Sequence, residues 1–110
     1  MRLVVKFTLE SMGLKDVDQA SNGQQAIDLI ENKRYDLVIS DMEMPVLTGI
    51  ELLNFIRADE KYKNLHFIML TSVSDKEKIL AAIGQSIDGY VLKPISPDIL
   101  SKRIAAALSH

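Results

Sequence analysis

The stretch YDLVISDMEMP, residues 35–45, places three branched apolar residues, Leu37 to Ile39, directly before Ser40 and Asp41. A short apolar run without alternation is typical of a strand buried on both faces, as in parallel sheets covered by helices. Asp41 would then end such a strand. Because ligands bind open α/β sheets at the carboxyl edge, Asp41 is a candidate site residue, although an Asp after a strand is also common as a turn or capping residue.

The composition indicates one globular domain without cross-links. The chain has 110 residues, of which 47% are hydrophobic and 25% charged. It has no cysteine, which excludes disulfides, thiolate metal ligands and a cysteine nucleophile. No apolar stretch approaches the roughly 20 residues of a membrane span, and the formal net charge of −2 comes without a basic cluster. We therefore expect a cytoplasmic protein that binds neither membranes nor nucleic acid.

Four helix starts can be recognised from capping residues. Three begin at Ser21, Thr48 and Ser74, each followed three residues later by Gln or Glu, which is the pattern of a capping box. The fourth begins at Ser96, with Pro97 at the first helical position. Apolar residues recur at helical spacing after each start, so each helix is predicted to have one apolar face.

Short apolar segments between the helices are interpreted as strands. Four such segments, the first with a weak pattern, cover Val17 to Ala20, Leu37 to Ser40, Phe67 to Leu70 and Tyr90 to Leu92. Strand and helix alternate, which predicts an α/β fold with an open parallel sheet and helices on both faces. Residues 1–12 predict one further helix at the front, with Leu3, Val4 and Phe7 facing inward.

Parallel strands would bring three kinds of polar side chain to one edge of the sheet. These are the carboxylate of Asp41, the hydroxyl pair Thr71 and Ser72, and the ammonium group of Lys93. The combination suits phosphoryl chemistry, because a carboxylate can form an acyl phosphate while a hydroxyl and an ammonium group bind its oxygens. Taken singly, each residue also has an ordinary explanation as a loop residue or a solvated charge.

With these residues, the chain resembles the receiver domain of two-component response regulators, close to the single-domain chemotaxis type. The resemblance extends over essentially all 110 residues. Three segments carry it: Ser40-Asp41 with Met44-Pro45 and Gly49, the strand end FIMLTS at residues 67–72, and DGYVLKP at residues 88–94. Together they imply the flavodoxin-like receiver fold.

The resemblance implies a role in phosphoryl transfer for each polar residue at the strand ends. Asp41 would accept the phosphoryl group, and Lys93 would pair with the phosphate. Thr71 would be the hydroxyl that moves toward the phosphoryl group, with Ser72 beside it as a second phosphate-binding hydroxyl. Pro94 would follow a cis peptide bond that directs Lys93 into the site, although only about 5–6% of X–Pro bonds in folded proteins are cis.

Metal binding and switching are implied in the same way. Asp41 and the backbone carbonyl of Glu43 would be ligands of Mg²⁺. Tyr90, together with Thr71, would be the switch whose rotamer reports phosphorylation to partners. A half-buried tyrosine with a solvated hydroxyl is an equally good interpretation of Tyr90 from the sequence alone.

The sequence departs from the family at its start. Receivers begin with a strand that ends in two acidic residues, which hold Mg²⁺ together with the acceptor Asp. Here the pattern starts in the following helix, so we expect residues 1–110 to be an N-terminally incomplete receiver with weakened Mg²⁺ binding and phosphotransfer. Without that strand two sheet edges are unpaired. We expect either that the Val17 strand pairs directly with the Leu37 strand, or that two chains exchange elements in a homodimer.

Three functions are compatible with these residues. The first, which we expect, is a non-enzymatic signalling switch that accepts a phosphoryl group on Asp41 from a histidine kinase or phosphotransfer domain and acts on a downstream protein target. The second is a truncated or degenerate receiver that binds partners or dimerises without phosphorylation. The third is an aspartyl-phosphate phosphatase of the haloacid-dehalogenase type, which is disfavoured because that family requires Asp-x-Asp and Asp41 is followed by Met42-Glu43.

Overall fold

The computed structural model describes residues 2–14, 16–83 and 86–109. Helices alternate along the chain with apolar strands, and the strands form one sheet. In these ranges the helices are α1 (Arg2–Ser11), α2 (Gly23–Asn32), α3 (Gly49–Ala58), α4 (Val73–Ile83) and α5 (Pro97–Leu108). The strands are β1 (Leu37–Asp41), β2 (His66–Thr71) and β3 (Gly89–Leu92), and a 3-10 turn covers Glu60–Tyr62. None of the helices in the described ranges has the length and apolar character needed to span a bilayer.

The three strands form one parallel sheet in the order β1-β2-β3. Leu37 lies opposite His66, and Ile68 lies opposite Gly89. The central strand, β2, is the most buried, because every residue after His66 in it is buried. A parallel sheet covered by helices is the predicted fold class, and the structure confirms it.

The core has two layers, one on each face of the sheet. Phe67 and Met69 of β2 belong to the layer built with α2, α3 and α4. Ile68 and Leu70 belong to the layer built with α1 and α5. Successive residues of a strand point to opposite faces, so a continuous apolar run fills both layers. Full burial of each such side chain contributes about 1.5–3 kcal/mol, and these layers hold the strand ends in place.

The predicted strand at Val17 to Ala20 is wrong. Residues 16–20 have no regular structure, and Val17 is 37% exposed. Among the described residues β1 pairs only with β2, so the predicted closure of the sheet by the Val17 segment is also wrong. The physical reason is that Asp16 and Asp18 in this segment bind Lys33 instead of packing between helices. Exchange between two chains stays a prediction.

Helix α1 is confirmed, but its predicted inner face is wrong. Leu3 is 81% and Phe7 64% exposed, and Val4 is half-buried. The buried face instead carries Thr8 and Leu9. A threonine can take a core position here because its hydroxyl donates to the Val4 carbonyl at 2.8 Å, which satisfies the buried donor.

One predicted cap is confirmed, one holds its position without a capping hydrogen bond, and two are shifted. Thr48 forms the predicted capping box of α3. Ser96 directly precedes α5, but its side chain makes no capping hydrogen bond. The cap of α2 is Asn22, one residue after the predicted Ser21. At α4 the Ser72 hydroxyl, two residues before the predicted Ser74, accepts the amide hydrogen of the first turn. Adjacent residues of similar capping strength explain these shifts.

Candidate functional site

The parallel sheet brings Asp41 and Lys93 together at its carboxyl edge. Asp41 ends β1 and Lys93 directly follows β3, with β2 between them. The Lys93 Nζ atom lies 2.8 Å from Asp41 Oδ1, and the two side chains are 31% and 19% exposed. The Lys93–Pro94 peptide bond is cis, as the resemblance implied. The convergence of carboxylate and ammonium therefore follows the geometry expected from the sequence.

The two oxygens of the Asp41 carboxylate have different surroundings. Oδ1 accepts hydrogen bonds from Lys93 Nζ at 2.8 Å and from the backbone N–H of Glu43 at 3.0 Å. No hydrogen bond from the described residues reaches Oδ2. One oxygen is thus anchored, and the other is available to react.

The loop after β1 approaches Asp41 so closely that it requires a glycine. A Cβ atom on Gly49 would lie 2.5 Å from the Asp41 carbonyl oxygen and 2.8 Å from the sulfur of Met69. The Gly49 N–H donates to the Met42 carbonyl at 2.8 Å. Gly49, which the sequence analysis used only to mark the resemblance, therefore sets the packing behind the carboxylate.

The same loop contains a backbone conformation that no sequence pattern indicated. Val46 has a φ of 72°, in the left-handed region that a β-branched residue rarely adopts. The Leu47 N–H donates to the Pro45 carbonyl at 2.8 Å across this residue. Strained residues of this kind persist only where their surroundings determine the backbone, and they are frequent at functional sites.

The two predicted hydroxyl groups are directed toward backbone and helix atoms. Thr71 is 1% exposed, and its Oγ1 donates to the Ser72 carbonyl at 3.4 Å. The Ser72 hydroxyl donates to Asp75 Oδ2 at 3.0 Å and caps α4. Thr71 is tied to the site by its carbonyl, which accepts the Lys93 N–H at 2.8 Å. The roles of both hydroxyls as phosphate ligands stay predictions.

Tyr90 connects the sheet to α4. It lies opposite Met69 in the sheet and is half-buried against the layer formed with α2, α3 and α4. The Lys76 Nζ atom of α4 lies 5.6 Å from the centroid of its ring, within the range of a cation–π contact. A rotamer change at Tyr90 would therefore alter how α4 is held.

The arrangement of strand-end residues agrees with comparisons to known proteins. The chain matches the family model of the response regulator receiver domain over residues 1–105. This protein belongs to that family.

Relatives and solved structures support the same assignment. The receiver is 33% identical over 104 residues to the chemotaxis protein CheY of Pseudomonas aeruginosa, which covers 94% of this chain and 84% of that relative. It is similar to the crystal structure of the Vibrio cholerae chemotaxis response regulator CheY4, with a TM-score of 0.85 and 32% identity over 96% of this chain and 88% of the other. The receiver domain of a Pseudomonas aeruginosa sensor histidine kinase, with a magnesium ion coordinated in its active site cleft, has a TM-score of 0.85 at 28% identity, covering 99% of this chain and 88% of that one.

The described residues of this receiver form an incomplete Mg²⁺ site. Within those ranges, no group of three or more His, Cys, Asp or Glu side chains converges to hold a metal ion. The predicted ligands of the ion are the Asp41 carboxylate and the backbone carbonyl of Glu43. Mg²⁺ requires octahedral oxygen coordination at about 2.0–2.1 Å and binds weakly when few of its waters are replaced. These two groups alone do not complete such a coordination shell, and weakened Mg²⁺ binding stays a prediction.

A charged cluster that the sequence analysis did not identify fixes residues 16–18 of the receiver. Lys33 Nζ lies 2.9 Å from Asp16 Oδ1 and 3.1 Å from Asp18 Oδ2, and the Tyr35 hydroxyl donates to Asp18. Hydrogen bonds from Tyr35 and then Lys33 lower the pKa of Asp18. Hydrogen bonds to Asp16 and then Asp18 raise the pKa of Lys33. Burial, followed by the bond to Asp18, raises the pKa of Tyr35.

A second cluster lies at the opposite end of the sheet from Asp41. Asp88 Oδ2 accepts the N–H of Phe67 at 2.7 Å, and its Oδ1 lies 3.1 Å from Nδ1 of His66. The Arg57 guanidinium lies 3.7 Å from the same carboxylate and donates to the Leu65 carbonyl at 2.7 Å. His66 therefore takes part in joining α3, β2 and β3. The other histidine, His110, lies outside the described residues.

Proposed function

We propose that this receiver is a phosphorylation-dependent signalling switch of a two-component system. It accepts a phosphoryl group on Asp41 from a histidine kinase or a phosphotransfer domain and passes the signal to a downstream protein target. The observation that supports the proposal is the Asp41–Lys93 pair at the sheet edge, in which Oδ1 is anchored and Oδ2 is available.

The proposed chemistry moves a phosphoryl group from a histidine nitrogen to a carboxylate oxygen. Asp41 Oδ2 attacks the phosphorus of a phosphohistidine, the new O–P bond forms, and the N–P bond breaks as the imidazole nitrogen leaves and takes up a proton. Lys93, already 2.8 Å from the carboxylate, then binds an oxygen of the phosphoryl group as a point charge. The Thr71 carbonyl accepts the Lys93 N–H, and this link between the two residues supports the role of the Thr71 hydroxyl in the switch.

Phosphorylation of Asp41 is tested with a small acyl phosphate donor at high Mg²⁺ concentration. We expect a label that is sensitive to hydroxylamine, as an acyl phosphate is. Asp41→Asn should abolish it, and the matched control Asp36→Asn, an exposed carboxylate just before β1, should retain it. Label that survives Asp41→Asn would overturn the assignment of the acceptor.

A phosphorylation-independent binding module is the second candidate, favoured by the incomplete metal site of the described residues. The same assay separates the two, because a binding module gives no label at any Mg²⁺ concentration. We propose that the receiver has no enzymatic turnover of its own and acts in the cytoplasm beside its kinase. Continuous hydrolysis of a generic phosphate ester would contradict the first statement.

A further inference from the structure

A cavity with a volume of about 310 Å³ opens at the end of the sheet opposite Asp41. The end of α3, the start of β2 and the residue before β3 contribute to its wall. The lining residues are Arg57, Lys63, Asn64, Leu65, His66 and Asp88. Sites for small molecules have volumes of about 300–1,000 Å³, so this cavity suits a ligand at the small end of that range.

The guanidinium group of Arg57 is fixed in the wall of the cavity, and part of it is unused. Its Nε donates to the Ser86 carbonyl at 2.9 Å, and its Nη1 donates to the Leu65 carbonyl at 2.7 Å. Its Nη2 lies 3.7 Å from Asp88 Oδ2 and donates no hydrogen bond to the residues that the structure describes. A guanidinium is planar and rigid, so these bonds orient the Nη2 hydrogens while leaving them available.

The imidazole ring of His66 is oriented by Asp88. Its Nδ1 lies 3.1 Å from Asp88 Oδ1. An ionised carboxylate only accepts hydrogen bonds, so Nδ1 carries the hydrogen, and Nε2 of the neutral ring is then an acceptor. Within the described ranges no hydrogen bond reaches Nε2. The wall of the cavity therefore offers one acceptor beside the donors of the basic side chains.

The charges that line the cavity favour an anion. Arg57 and Lys63 are positive, against the single carboxylate of Asp88. Both oxygens of that carboxylate are engaged, because Oδ2 accepts the Phe67 N–H at 2.7 Å and Oδ1 faces His66. Lys63 is exposed and forms no ion pair in the part of the chain that the structure describes. A positive charge is thus left for a ligand.

A small oxyanion with one hydrogen matches both kinds of group in the wall. Its charged oxygens accept hydrogen bonds from the guanidinium and ammonium groups, and such charge-assisted bonds are the strong ones. Its hydroxyl donates to the free imidazole nitrogen. Hydrogen phosphate has these features, whereas sulfate has oxygens of similar geometry and no hydrogen to donate. The cavity therefore has the chemistry to prefer phosphate to sulfate.

We propose that this cavity binds inorganic phosphate, with the anion's oxygens on Arg57 Nη2 and Lys63 Nζ and its hydroxyl on His66 Nε2. The ligand joins the end of α3 to the start of β2. The site lies at the opposite end of the sheet from Asp41 and does not depend on its phosphorylation, so this proposal and the proposed function stand or fall separately.

Titrations with phosphate and with sulfate at equal ionic strength test the chemistry of the site. They are followed by NMR at about pH 8, where an ordinary imidazole is neutral. We expect phosphate to shift the backbone amides of Asn64 and His66 saturably. Sulfate should bind about tenfold more weakly, because it leaves the Nε2 acceptor unpaired. Shifts that do not saturate, or equal affinities for the two anions, would overturn the proposal.

Matched variants test the location and the role of each group. Lys63→Gln should weaken phosphate binding about tenfold, whereas Lys61→Gln, an exposed lysine that does not line the cavity, should not. Equal loss in both variants would show general charge attraction and overturn the site.

His66→Asn keeps a donor near Asp88 and lacks Nε2, so phosphate affinity should fall to that of sulfate while sulfate affinity stays unchanged. A retained preference for phosphate would overturn the role of the ring. Asp41→Asn should bind phosphate as the unmodified receiver does. Loss of binding in that variant would place the anion at the carboxyl edge of the sheet and overturn the proposal.

Discussion

Lys93 contributes to the chemistry of the site far more than to the stability of the fold. Its ion pair with Asp41 lies at a solvated sheet edge, where the lysine side chain is 31% exposed. Removing such a pair costs roughly 0–1 kcal/mol of unfolding free energy. Lys93→Ala should therefore keep its denaturant midpoint and lose acyl phosphate labelling, whereas Lys102→Ala, an exposed lysine on α5, should keep both. A loss of several kcal/mol would show that Lys93 is structural.

Gly49 controls the position of the reactive carboxylate through sterics alone. An alanine Cβ would lie 2.5 Å from the Asp41 carbonyl oxygen, so the strand end or the loop must move. We expect Gly49→Ala to lower the free energy of unfolding by about 1–3 kcal/mol and to reduce labelling of Asp41. Denaturant unfolding and the labelling assay measure both effects.

Gly89→Ala is the matched control for that substitution. The Cβ atom it adds in β3 would meet only the Arg103 side chain, at an ordinary 3.7 Å. Stability and labelling should remain close to those of the unmodified receiver. If Gly49→Ala behaves in the same way, the close approach at Asp41 does not constrain the site.

At the scale of elements, the cluster that fixes residues 16–18 should make this segment sensitive to pH. Hydrogen bonds from Tyr35 and Lys33 lower the pKa of Asp18, so its contribution is present above the unfolded value of about 3.9 and is lost as pH falls through the lower folded value. The pKa of Lys33 is raised, so its contribution is present below about 10.4 and is lost as pH rises through the folded value. The segment should be held between about pH 4 and pH 10.

The NMR chemical shift of the Val17 amide across a pH titration measures this window, because Val17 lies between the two carboxylates that Lys33 binds. Asp18→Asn should remove the acid limb of the titration and shift this resonance at neutral pH. Asp28→Asn, an exposed carboxylate on α2 outside the cluster, serves as the control and should not. A pH profile that Asp18→Asn leaves unchanged would contradict the role of the cluster.

Elements with a clear period were predictable from the sequence, and elements held by side-chain partners were not. The strands at Leu37 and Phe67 were identified because a short, continuous apolar run is typical of a strand buried on both faces. The segment at Val17 has only a weak strand pattern, and its carboxylates bind residues far away along the chain. Lys33 is seventeen residues from Asp16 and fifteen from Asp18, and Tyr35 is seventeen residues from Asp18. Such long-range pairs leave no periodic signal.

The same distinction applies to the candidate site. The proximity of Asp41 and Lys93 was predictable, because Asp41 ends β1 and Lys93 directly follows β3 in one parallel sheet. The orientation of the Ser72 hydroxyl was not, because Ser72 and Ser74 compete to cap the same helix. The positive φ of Val46 was unpredictable for a stronger reason, since the residue type itself disfavours that conformation.

At the scale of the whole molecule, the two core layers are centred on the middle strand of the sheet. The fully buried residues lie on β2 and the helices that flank it, which includes Phe67, Leu52, Leu53, Ile56, Leu100 and Ile104. The layers therefore stabilise the receiver around the central strand. β1 is less buried, because Leu37, Val38 and Ile39 are all only partly covered. The stability of the receiver is thus centred on β2 rather than on β1.

Exchange of elements between two chains predicts that protection of the β1 amides depends on protein concentration. If two chains exchange elements, we expect the Leu37 and Ile39 amides to be protected from hydrogen exchange at high concentration and to lose that protection on dilution, because the exchanged contacts exist only in the dimer. Light scattering and hydrogen exchange across one dilution series measure the association state and the protection together. A monomer whose Leu37 and Ile39 amides exchange at the same rate at every concentration would contradict exchange between chains.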